Sequence, residues 1–484
     1  MWFFDILILS FCYGFIYYFW KLISYYLQIF KIPKSSFNGS LEKVLKFING
    51  DTKFLFEQVF SSLKVNGLTR SWVGPFVFIN IIHPEDMKII FTSKNCLDKP
   101  NFVKKYLKLR NGLVFGDIKP WKSHRKILNY HFGLQSVQSM IPMFNKKVKI
   151  LIDNFEKMVG KKEFDIFYFV AAATLDNILT LMGLDLDIQN KDEKQRDVFI
   201  QDVKCYTEIV LLRVMKIWLY FDFFFDRSYL GKKHKEAKSS IGDKLVKNVM
   251  KNIQEIPKSE KNFIQALMDP KYNLKDTEIY DEIFTIIIAA QDTSAVALSN
   301  VLLLLAMHKN VQNKVFDELR KIIGNEIDYL DLEKLNELDY LEMVINEAMR
   351  ILPVIPLFFK KNETNLTTNE GYTIPAGSNL FISVYSMHRS KNVWGEDAET
   401  FKPERFEKEN FEKIHPYAFI PFSKGSRMCL GYRYAMALMK IQLANIIMKY
   451  EVDTSLKLDE LEFKLNVTLN IVQGHMISLN KRDL

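Results

Sequence analysis

Cys429 stands in a glycine-rich segment whose residue types suit the binding of iron through sulfur. Phe422, Gly425, Arg427 and Gly431 surround it. A ligating thiolate needs N–H donors to share its charge, and glycines let the backbone turn such donors toward sulfur. An arginine can pair with a carboxylate of the bound group. An ordinary buried cysteine is the alternative for any single Cys, but chance gives this arrangement around one of the four cysteines with a probability on the order of 10⁻⁵.

A polar group interrupts the longest apolar stretch outside the N-terminus. Residues 283–307 are mostly apolar, yet Gln291, Asp292, Thr293 and Ser294 follow one another near the centre. An ionised Asp is costly in lipid, so a second membrane span is less favoured than a helix buried in the core of a large domain. A buried acid and alcohol in such a helix can move protons.

Three shorter patterns are weaker on their own. Trp121 and Arg125 lie in a basic segment that also suits an ordinary amphipathic helix, and Glu347 and Arg350 have the i,i+3 spacing of a common surface pair. Arg405 follows in the tetrapeptide Pro-Glu-Arg-Phe.

Together these motifs resemble those of the cytochrome P450 family, and they occur in the family's order. The Cys429 segment matches FxxGxRxCxG at every fixed position, and residues 289–294 look like the (A/G)GxDTT segment. The three shorter patterns also match family motifs. Trp121 and Arg125 match WxxxR, Glu347 and Arg350 match ExxR, and the tetrapeptide that contains Arg405 matches PERF. The resemblance covers roughly residues 33–484, and it implies a mainly α fold with small β-sheets (α+β), the cytochrome P450 fold.

The resemblance also implies roles for individual residues. Cys429 would be the axial ligand of the iron of haem b, and Asp292 and Thr293 would deliver protons to bound dioxygen. Glu347, Arg350 and Arg405 would form a structural ion-pair network. The other cofactor-binding residues implied are Phe422, Gly425, Arg427 and Gly431 in the loop, and Trp121, Arg125 and Lys360 at the haem propionates.

Three positions depart from the family pattern. Ala290 replaces a glycine of the oxygen-binding segment, and Lys360 stands where the family usually has a propionate-binding Arg, without the bidentate fork of a guanidinium. The amino-acid sequence around Cys429 and Trp121 looks most like that of insect members of the clan that contains fatty-acid hydroxylases. Many of those enzymes carry a haem-esterified Glu where this chain has Ala289, so a covalent haem link is not expected.

The substrate pocket implied by the resemblance is apolar, which predicts a lipophilic small molecule. Its residues are Phe102, Phe115, Ile286, Ala289, Ala290, Val354, Phe358 and Leu469. The segment 209–225 is rich in aromatic residues from Trp218 onward. It lines an access channel, dips into the bilayer or forms a packed aromatic helix.

The N-terminus predicts a membrane anchor over residues 1–30. Residues 3–26 are nearly free of charge and exceed the ~20 residues that a spanning helix needs. Lys21, Lys31 and Lys34 lie toward or beyond its end, so the positive-inside rule places the remainder on the cytoplasmic face. The resemblance implies that the membrane is that of the endoplasmic reticulum. A cleaved signal peptide is the alternative, but no Lys or Arg precedes the apolar run.

The chain of 484 residues gives a length prior of about three domains. The motifs nevertheless extend from Trp121 to Cys429 and must meet at one cofactor, which predicts a single haem-thiolate domain over residues 31–484. Alternating apolar residues predict β structure at 70–82, after a Gly74-Pro75 turn, and further β segments at 371–385 and 463–479.

Composition narrows the class of protein further. Four cysteines without a CxxC pair exclude a disulfide scaffold and a zinc ribbon. No GxGxxG or GxxxxGK[ST] motif is present, so the electrons must come from another protein. The family implies NADPH–cytochrome P450 reductase, with cytochrome b5 as an optional second donor.

The net charge of +9 fits such a donor better than nucleic acid. A basic docking face would consist of Lys122, Lys126, Lys424 and Arg433.

These inferences predict a monooxygenase that inserts one atom of O2 into a lipophilic molecule with NADPH-derived electrons. A haem-thiolate isomerase or dehydratase is one alternative, although such enzymes tend to lose the acid–threonine pair that Asp292 and Thr293 retain. A non-catalytic haem-containing lipid-binding protein is the other.

Overall fold

The computed structural model of the chain describes residues 2–35, 46, 51–62, 67–73, 76–107, 112–253 and 263–482. Within these residues helices predominate. The α-helices are α1 (Trp2–Lys31), α2 (Thr52–Ser62), α3 (Pro84–Thr92), α4 (Asn101–Leu107), α5 (Ile118–His131), α6 (Leu134–Glu156), α7 (Phe167–Leu181), α8 (Glu193–Met215), α9 (Asp222–Arg227), α10 (Tyr229–Ile241), α11 (Lys247–Asn252), α12 (Phe263–Leu267), α13 (Asp276–Met307), α14 (Lys309–Ile323), α15 (Leu332–Glu337), α16 (Asp339–Ile351), α17 (Val384–His388), α18 (Lys391–Trp394), α19 (Lys408–Phe411) and α20 (Tyr432–Lys449).

The strands form small sheets beside the helices. They are β1 (Thr69–Val73), β2 (Phe76–Ile81), β3 (Phe164–Asp165), β4 (Leu357–Lys361), β5 (Leu366–Thr367), β6 (Thr373–Ile374), β7 (Asn379–Ser383), β8 (Tyr450–Asp453), β9 (Phe463–Leu465), β10 (Leu469–Ile471) and β11 (Met476–Lys481). The largest sheet has the order β1-β2-β7-β4, in which only the β2–β7 pair is parallel. The other sheets are β3-β11-β8, β9-β10 and β5-β6.

The β predictions from sequence are largely confirmed. β1 and β2 pair as an antiparallel hairpin, and β9, β10 and β11 cover the last predicted segment. Residues 371–385 contain β6 and β7, but Tyr385 lies in α17, because the Ser383 side chain accepts a hydrogen bond from the Ser386 N–H and starts a helix there. The Gly74-Pro75 turn lies outside the described residues.

The long helix α13 forms the centre of the domain. It packs against α7, α16 and α20. Four consecutive small or β-branched residues of α7, beginning at Val170, are buried, and their short side chains leave room for neighbouring helices to approach closely. The Thr174 hydroxyl donates to the Gln291 carbonyl at 3.1 Å and joins the two helices at the polar interruption.

Among the described residues α13 is also the one helix long and apolar enough to cross a membrane by length and composition, but 78% of its most apolar stretch is buried inside the protein. The sequence interpretation as a core helix agrees with this position.

The C-terminal end of α1 is attached to the first sheet by several contacts. Ile29 and Ile32 are fully buried, and the Tyr26 and Trp72 rings stack with centroids 6.1 Å apart. The Arg70 Nε donates to the Ile32 carbonyl at 2.8 Å. The chain therefore leaves α1 in a fixed position on β1. The first twelve residues of the predicted anchor lie outside those whose side chains are described.

Candidate haem-binding site

The loop before α20 shapes the surroundings of Cys429. The Cys429 N–H donates to the Phe422 carbonyl at 2.9 Å, which closes the loop. Gly425 has φ +71°, a left-handed conformation that L side chains rarely adopt. Burial raises the pKa of the Cys429 thiol, and the hydrogen bond that the Gly431 N–H donates to it and the positive charge of Arg125 act in the opposite direction. The glycine-rich segment thus places an N–H donor on sulfur, as a ligating thiolate requires.

Cys429 remains exposed to solvent although protein atoms surround its thiol. It is accessible to a water molecule, yet burial among protein atoms is the largest influence on its thiol and raises the pKa. These two observations are compatible, because protein atoms surround the thiol while part of the residue remains open to solvent. Room in front of a cysteine held by backbone donors is what a haem group bound through its iron requires.

Replacing Gly425 with alanine is expected to destabilise this loop. A Cβ at Gly425 would lie 2.2 Å from the backbone oxygen of Phe91, and the left-handed backbone adds its own cost. We expect a loss of about 1–3 kcal/mol in the free energy of unfolding, together with reduced haem content, measured by urea titration and by the haem absorbance of the purified protein.

Gly377 provides the matched control for this change. It also has a positive φ, +84°, but no atom lies within 4 Å of the position of its Cβ. A Gly377→Ala variant should therefore lose only the conformational cost and keep its haem. Equal haem loss in both variants would contradict the steric explanation.

Cationic side chains converge beside the loop. The Arg427 guanidinium lies 4.3 Å from the centroid of the Trp121 ring, and Arg125 donates to the Met428 carbonyl at 2.7 Å. The helix α5, which carries Trp121 and Arg125, is thereby fixed to the loop that carries Cys429. Of the Arg427 nitrogens, Nη2 donates to the Gly116 carbonyl at 3.2 Å, whereas Nε and Nη1 are buried with no hydrogen-bond partner among the described residues.

Two lysines complete this group of cations. Lys360 Nζ donates to the Cys96 carbonyl at 3.0 Å, and burial lowers the pKa of Lys360 to about 8. Lys99 donates to the Val114 carbonyl, and burial, together with the charges of Arg427 and Lys360, lowers its pKa to about 7. The carboxylates of Asp98 and Asp117 offset part of the positive charge of Lys99 and Arg427, yet burial still lowers the pKa of both groups, so the cations are only partly compensated. The two propionates of haem would supply further negative charge, so these residues fit the group.

The Glu347–Arg350 pair lies in the core and not on the surface. Arg350 Nε and Nη2 contact the two Glu347 oxygens at 2.6 and 2.8 Å, and both side chains are fully buried. Arg405 Nε lies 3.5 Å from Glu347. Arg350 also donates to the carbonyls of His388 and Ala398, at 2.7 Å each. The structure therefore brings together the three predicted members of the network.

The predicted proton-relay residues lie on α13. The Thr293 hydroxyl donates to the Ala289 carbonyl at 2.6 Å, and Asp292 accepts a hydrogen bond from the Thr468 hydroxyl at 3.0 Å. Burial raises the pKa of Asp292. Thr293 and Ala290 belong to a half-buried side of the helix, whereas Asp292 is buried beside β10. The acid and the alcohol thus have different partners.

The predicted pocket residues are dispersed over several elements. Phe102 packs in an aromatic cluster with Phe78 and Phe359, at centroid distances of 5.7 and 5.9 Å. The Leu469 N–H donates to the Val354 carbonyl at 2.9 Å, which joins β10 to the segment before β4. The more accessible members are Phe115, Ala289, Ala290, Val354 and Phe358, and the buried ones are Phe102, Ile286 and Leu469.

Sequence reasoning missed several residues of this site. Lys99 carried no motif, although an isolated Lys before proline in a segment leading to Trp121 is a weak signal. Thr468, the partner of Asp292, is 176 residues away in sequence and gave no signal at all. Glu282, which is buried on α13 and contacts α5, lies just before the apolar stretch 283–307 and carried no motif.

This mainly helical domain combines a cysteine loop that has an N–H donor on sulfur, a group of cations beside that loop and a long helix with a polar centre. Together these features define a haem-thiolate protein. The family model for cytochrome P450 matches residues 45–476. The chain therefore belongs to the cytochrome P450 family, as the motifs predicted, and it has the mainly helical fold with small sheets of that family.

Named relatives agree with this membership. The chain is 31% identical over 433 residues to the probable cytochrome P450 313a4 of Drosophila melanogaster, and the matched region covers 85% of this chain and 86% of that protein. It is 28% identical over 440 residues to the human cytochrome P450 4V2, which covers 86% of this chain and 82% of the relative.

Proposed function

We propose that the protein is a haem-thiolate monooxygenase that inserts one atom of O2 into a lipophilic small molecule, with electrons from NADPH delivered through a reductase. The observation that carries this proposal is the Cys429 thiol, which accepts a hydrogen bond from the Gly431 N–H and remains accessible to solvent. Its position in a cytochrome P450 chain gives that geometry its chemical meaning.

The residues of this chain would hold and orient haem b. Cys429 is assigned as the axial ligand, with Phe422, Gly425 and Gly431 shaping the loop. Arg427, Arg125, Trp121 and the two lysines are assigned to the propionates. Haem held by a cysteine thiolate supplies the activation of dioxygen.

We assign proton delivery to Asp292 and Thr293. Because burial raises the pKa of Asp292, its carboxyl holds a proton to a higher pH than an exposed aspartic acid. The Thr468 hydroxyl orients this carboxyl. Thr293 lies on the half-buried side of α13, where its hydroxyl can pass a proton toward the substrate side.

The electron donor proposed is NADPH–cytochrome P450 reductase, with cytochrome b5 as an optional second donor. Lys122, Lys126 and Arg433 are exposed and Lys424 is half-buried. They flank the α5 and Cys429 segments that would hold the haem. A basic surface so placed suits an acidic donor domain.

The membrane assignment rests on α1 and a second apolar surface. We propose residues 1–30 as a single-pass anchor of the endoplasmic reticulum and residues 31–484 as one catalytic domain on the cytoplasmic face. Trp218, Phe221, Phe223 and Phe224 are 48–65% exposed, which suits contact with lipid better than the packed-helix alternative. The apolar pocket residues suit a substrate that partitions into the same bilayer.

The lowered pKa values of Lys99 and Lys360 predict that the affinity for haem depends on pH. In the folded protein without haem, the pKa of Lys99 is about 7 and that of Lys360 is about 8, both below the ordinary value of 10.5. Between the folded pKa and 10.5 the unfolded chain binds more protons than the folded one, so the free energy of unfolding rises with pH. A bound carboxylate favours the protonated lysine, so haem affinity should fall as pH rises above about 7–8, by at most about tenfold per pH unit for each lysine.

The rate of haem transfer to excess apomyoglobin between pH 6.5 and 9.5 measures this effect. Lys360→Arg is the control, because a guanidinium keeps its charge over this range. Its transfer rate should rise less with pH than that of the wild type. Equal pH profiles would contradict the role of Lys360.

Turnover tests the function as a whole. The purified protein is combined in vesicles with reductase, NADPH, isotopically labelled dioxygen and a panel of lipophilic substrates. A product that carries one labelled oxygen atom supports the proposal. Haem-loaded protein that consumes no NADPH would favour the lipid-binding alternative, and rearrangement of a peroxide without dioxygen would favour the isomerase.

A further inference from the structure

A buried carboxylate outside the predicted motifs joins three parts of the site. Glu282 lies on α13 and is fully buried. Its Oε1 is 2.6 Å from the Nδ1 of His124 on α5, a ring that is also fully buried. Its Oε2 accepts a hydrogen bond from the Leu113 N–H at 3.0 Å. Burial raises the pKa of Glu282, and the contact with His124 lowers it.

Leu113 belongs to a short segment, residues 112–116, that we call the strap. The strap lies directly on α13, because a Cβ at Gly112 would be 2.0 Å from the Oγ1 of Thr285. At its other end the Gly116 carbonyl accepts a hydrogen bond from Arg427 at 3.2 Å. The strap is therefore tied to α13 at one end and to the Cys429 loop at the other, with Lys99 donating to the Val114 carbonyl between them.

His124 extends the same connection to the propionate side. It lies between Trp121 and Arg125 on α5, and Arg125 holds the Cys429 loop through the Met428 carbonyl. Glu282 thus fixes α13 to the helix and to the strap that carry or contact the haem-binding cations. It is not itself close to the proton-relay residues, since ten residues of helix place it about 15 Å from Asp292 along α13.

A fully buried carboxylate is costly unless its partners offset the loss of water. Here the partners are a loop N–H and a ring of another helix, so the interaction fixes geometry between elements. We propose that Glu282, through His124 and Leu113, is a positioning residue that sets the spacing between α5 and α13 and holds the strap in the shape that retains haem. This inference rests on the proposed haem site.

The test compares Glu282→Leu with Glu282→Gln. Leucine removes both hydrogen bonds, and the rate of haem transfer to apomyoglobin should rise about tenfold or more. Glutamine has nearly the same shape; its oxygen can accept from Leu113 and its N–H can donate to a neutral His124. It should restore most of the wild-type rate. A Glu282→Gln variant that releases haem as fast as Glu282→Leu would overturn the positioning role.

Asp176 provides the matched control. It is fully buried on α7 and also pairs with a side chain of another helix, Lys147 at 3.2 Å, and accepts from a loop N–H, that of Ile188 at 3.1 Å. Asp176→Leu should lower the melting temperature comparably and leave haem transfer at the wild-type rate. Haem release in Glu282→Leu no faster than in Asp176→Leu would overturn the proposal.

His124→Phe is the second variant if Glu282→Leu does not fold, because it leaves the hydrogen bond between Glu282 and Leu113 in place. It should release haem faster than Asp176→Leu and the wild type, and a wild-type rate would overturn the proposal. A wild-type protein that binds no haem would instead contradict the proposed function, so the two failures are distinguishable.

Discussion

Replacing Cys429 with serine is expected to abolish turnover while the polypeptide remains folded. Serine has nearly the same shape, so the loop hydrogen bond between residues 429 and 422 can persist. An alkoxide is not available near neutral pH, however, and the electron-rich ligand that favours O–O cleavage is lost. We expect monooxygenase activity to fall below detection and the free energy of unfolding of the haem-free protein to change by less than about 1 kcal/mol.

The measurement combines product formation with the reduced, CO-bound spectrum of the same preparation. Cys205→Ser is the control, because Cys205 is half-buried on α8, outside the loop. That variant should keep both the spectrum and the activity. Retention of the wild-type spectrum by Cys429→Ser would contradict the assignment of the axial ligand.

Replacing Arg350 with leucine is expected to produce the largest loss of stability. The change leaves Glu347 fully buried without its main partner and removes the donors to the His388 and Ala398 carbonyls. Breaking a buried ion pair from one side costs about 3–5 kcal/mol, a large share of the roughly 5–15 kcal/mol that holds a domain folded. Urea titration and the yield of haem-loaded protein measure the effect.

A double variant separates the charge from the hydrogen bonds. In Glu347→Leu/Arg350→Leu no unpaired carboxylate remains, so it should be more stable than Arg350→Leu alone by about 0.5–3 kcal/mol. Lys391→Met serves as the surface control, because the Lys391–Glu396 pair is largely exposed. Its unfolding curve should overlay that of the wild type. A double variant less stable than the single one would contradict the unpaired-charge explanation.

The parts of the site that could be predicted are those encoded by short spacing. The Cys429 loop and the Glu347–Arg350 pair each lie within ten residues, so composition and geometry act on neighbours along the chain. Helix α13 was also predictable, because its apolar length with a polar centre suits a core helix better than a membrane span.

The parts that could not be predicted depend on contacts between distant segments. Lys99 donates to the Val114 carbonyl of the strap and interacts electrostatically with Arg427 only because these segments fold together. The Thr468 hydroxyl meets Asp292 only when the segment before β10 lies beside α13. His124 stood inside a recognised motif, but its partner is 158 residues away, and nothing in either local pattern indicates the other. The helix at Tyr385 was missed because a local Ser383 cap overrides the alternating pattern.

The reduced, CO-bound difference spectrum of the purified wild-type protein tests the central claim most directly. If the Cys429 thiolate binds the haem iron, this spectrum has a band at about 450 nm. A haem-loaded preparation that lacks this band in wild type, or a chain that retains no haem at all, would contradict the account.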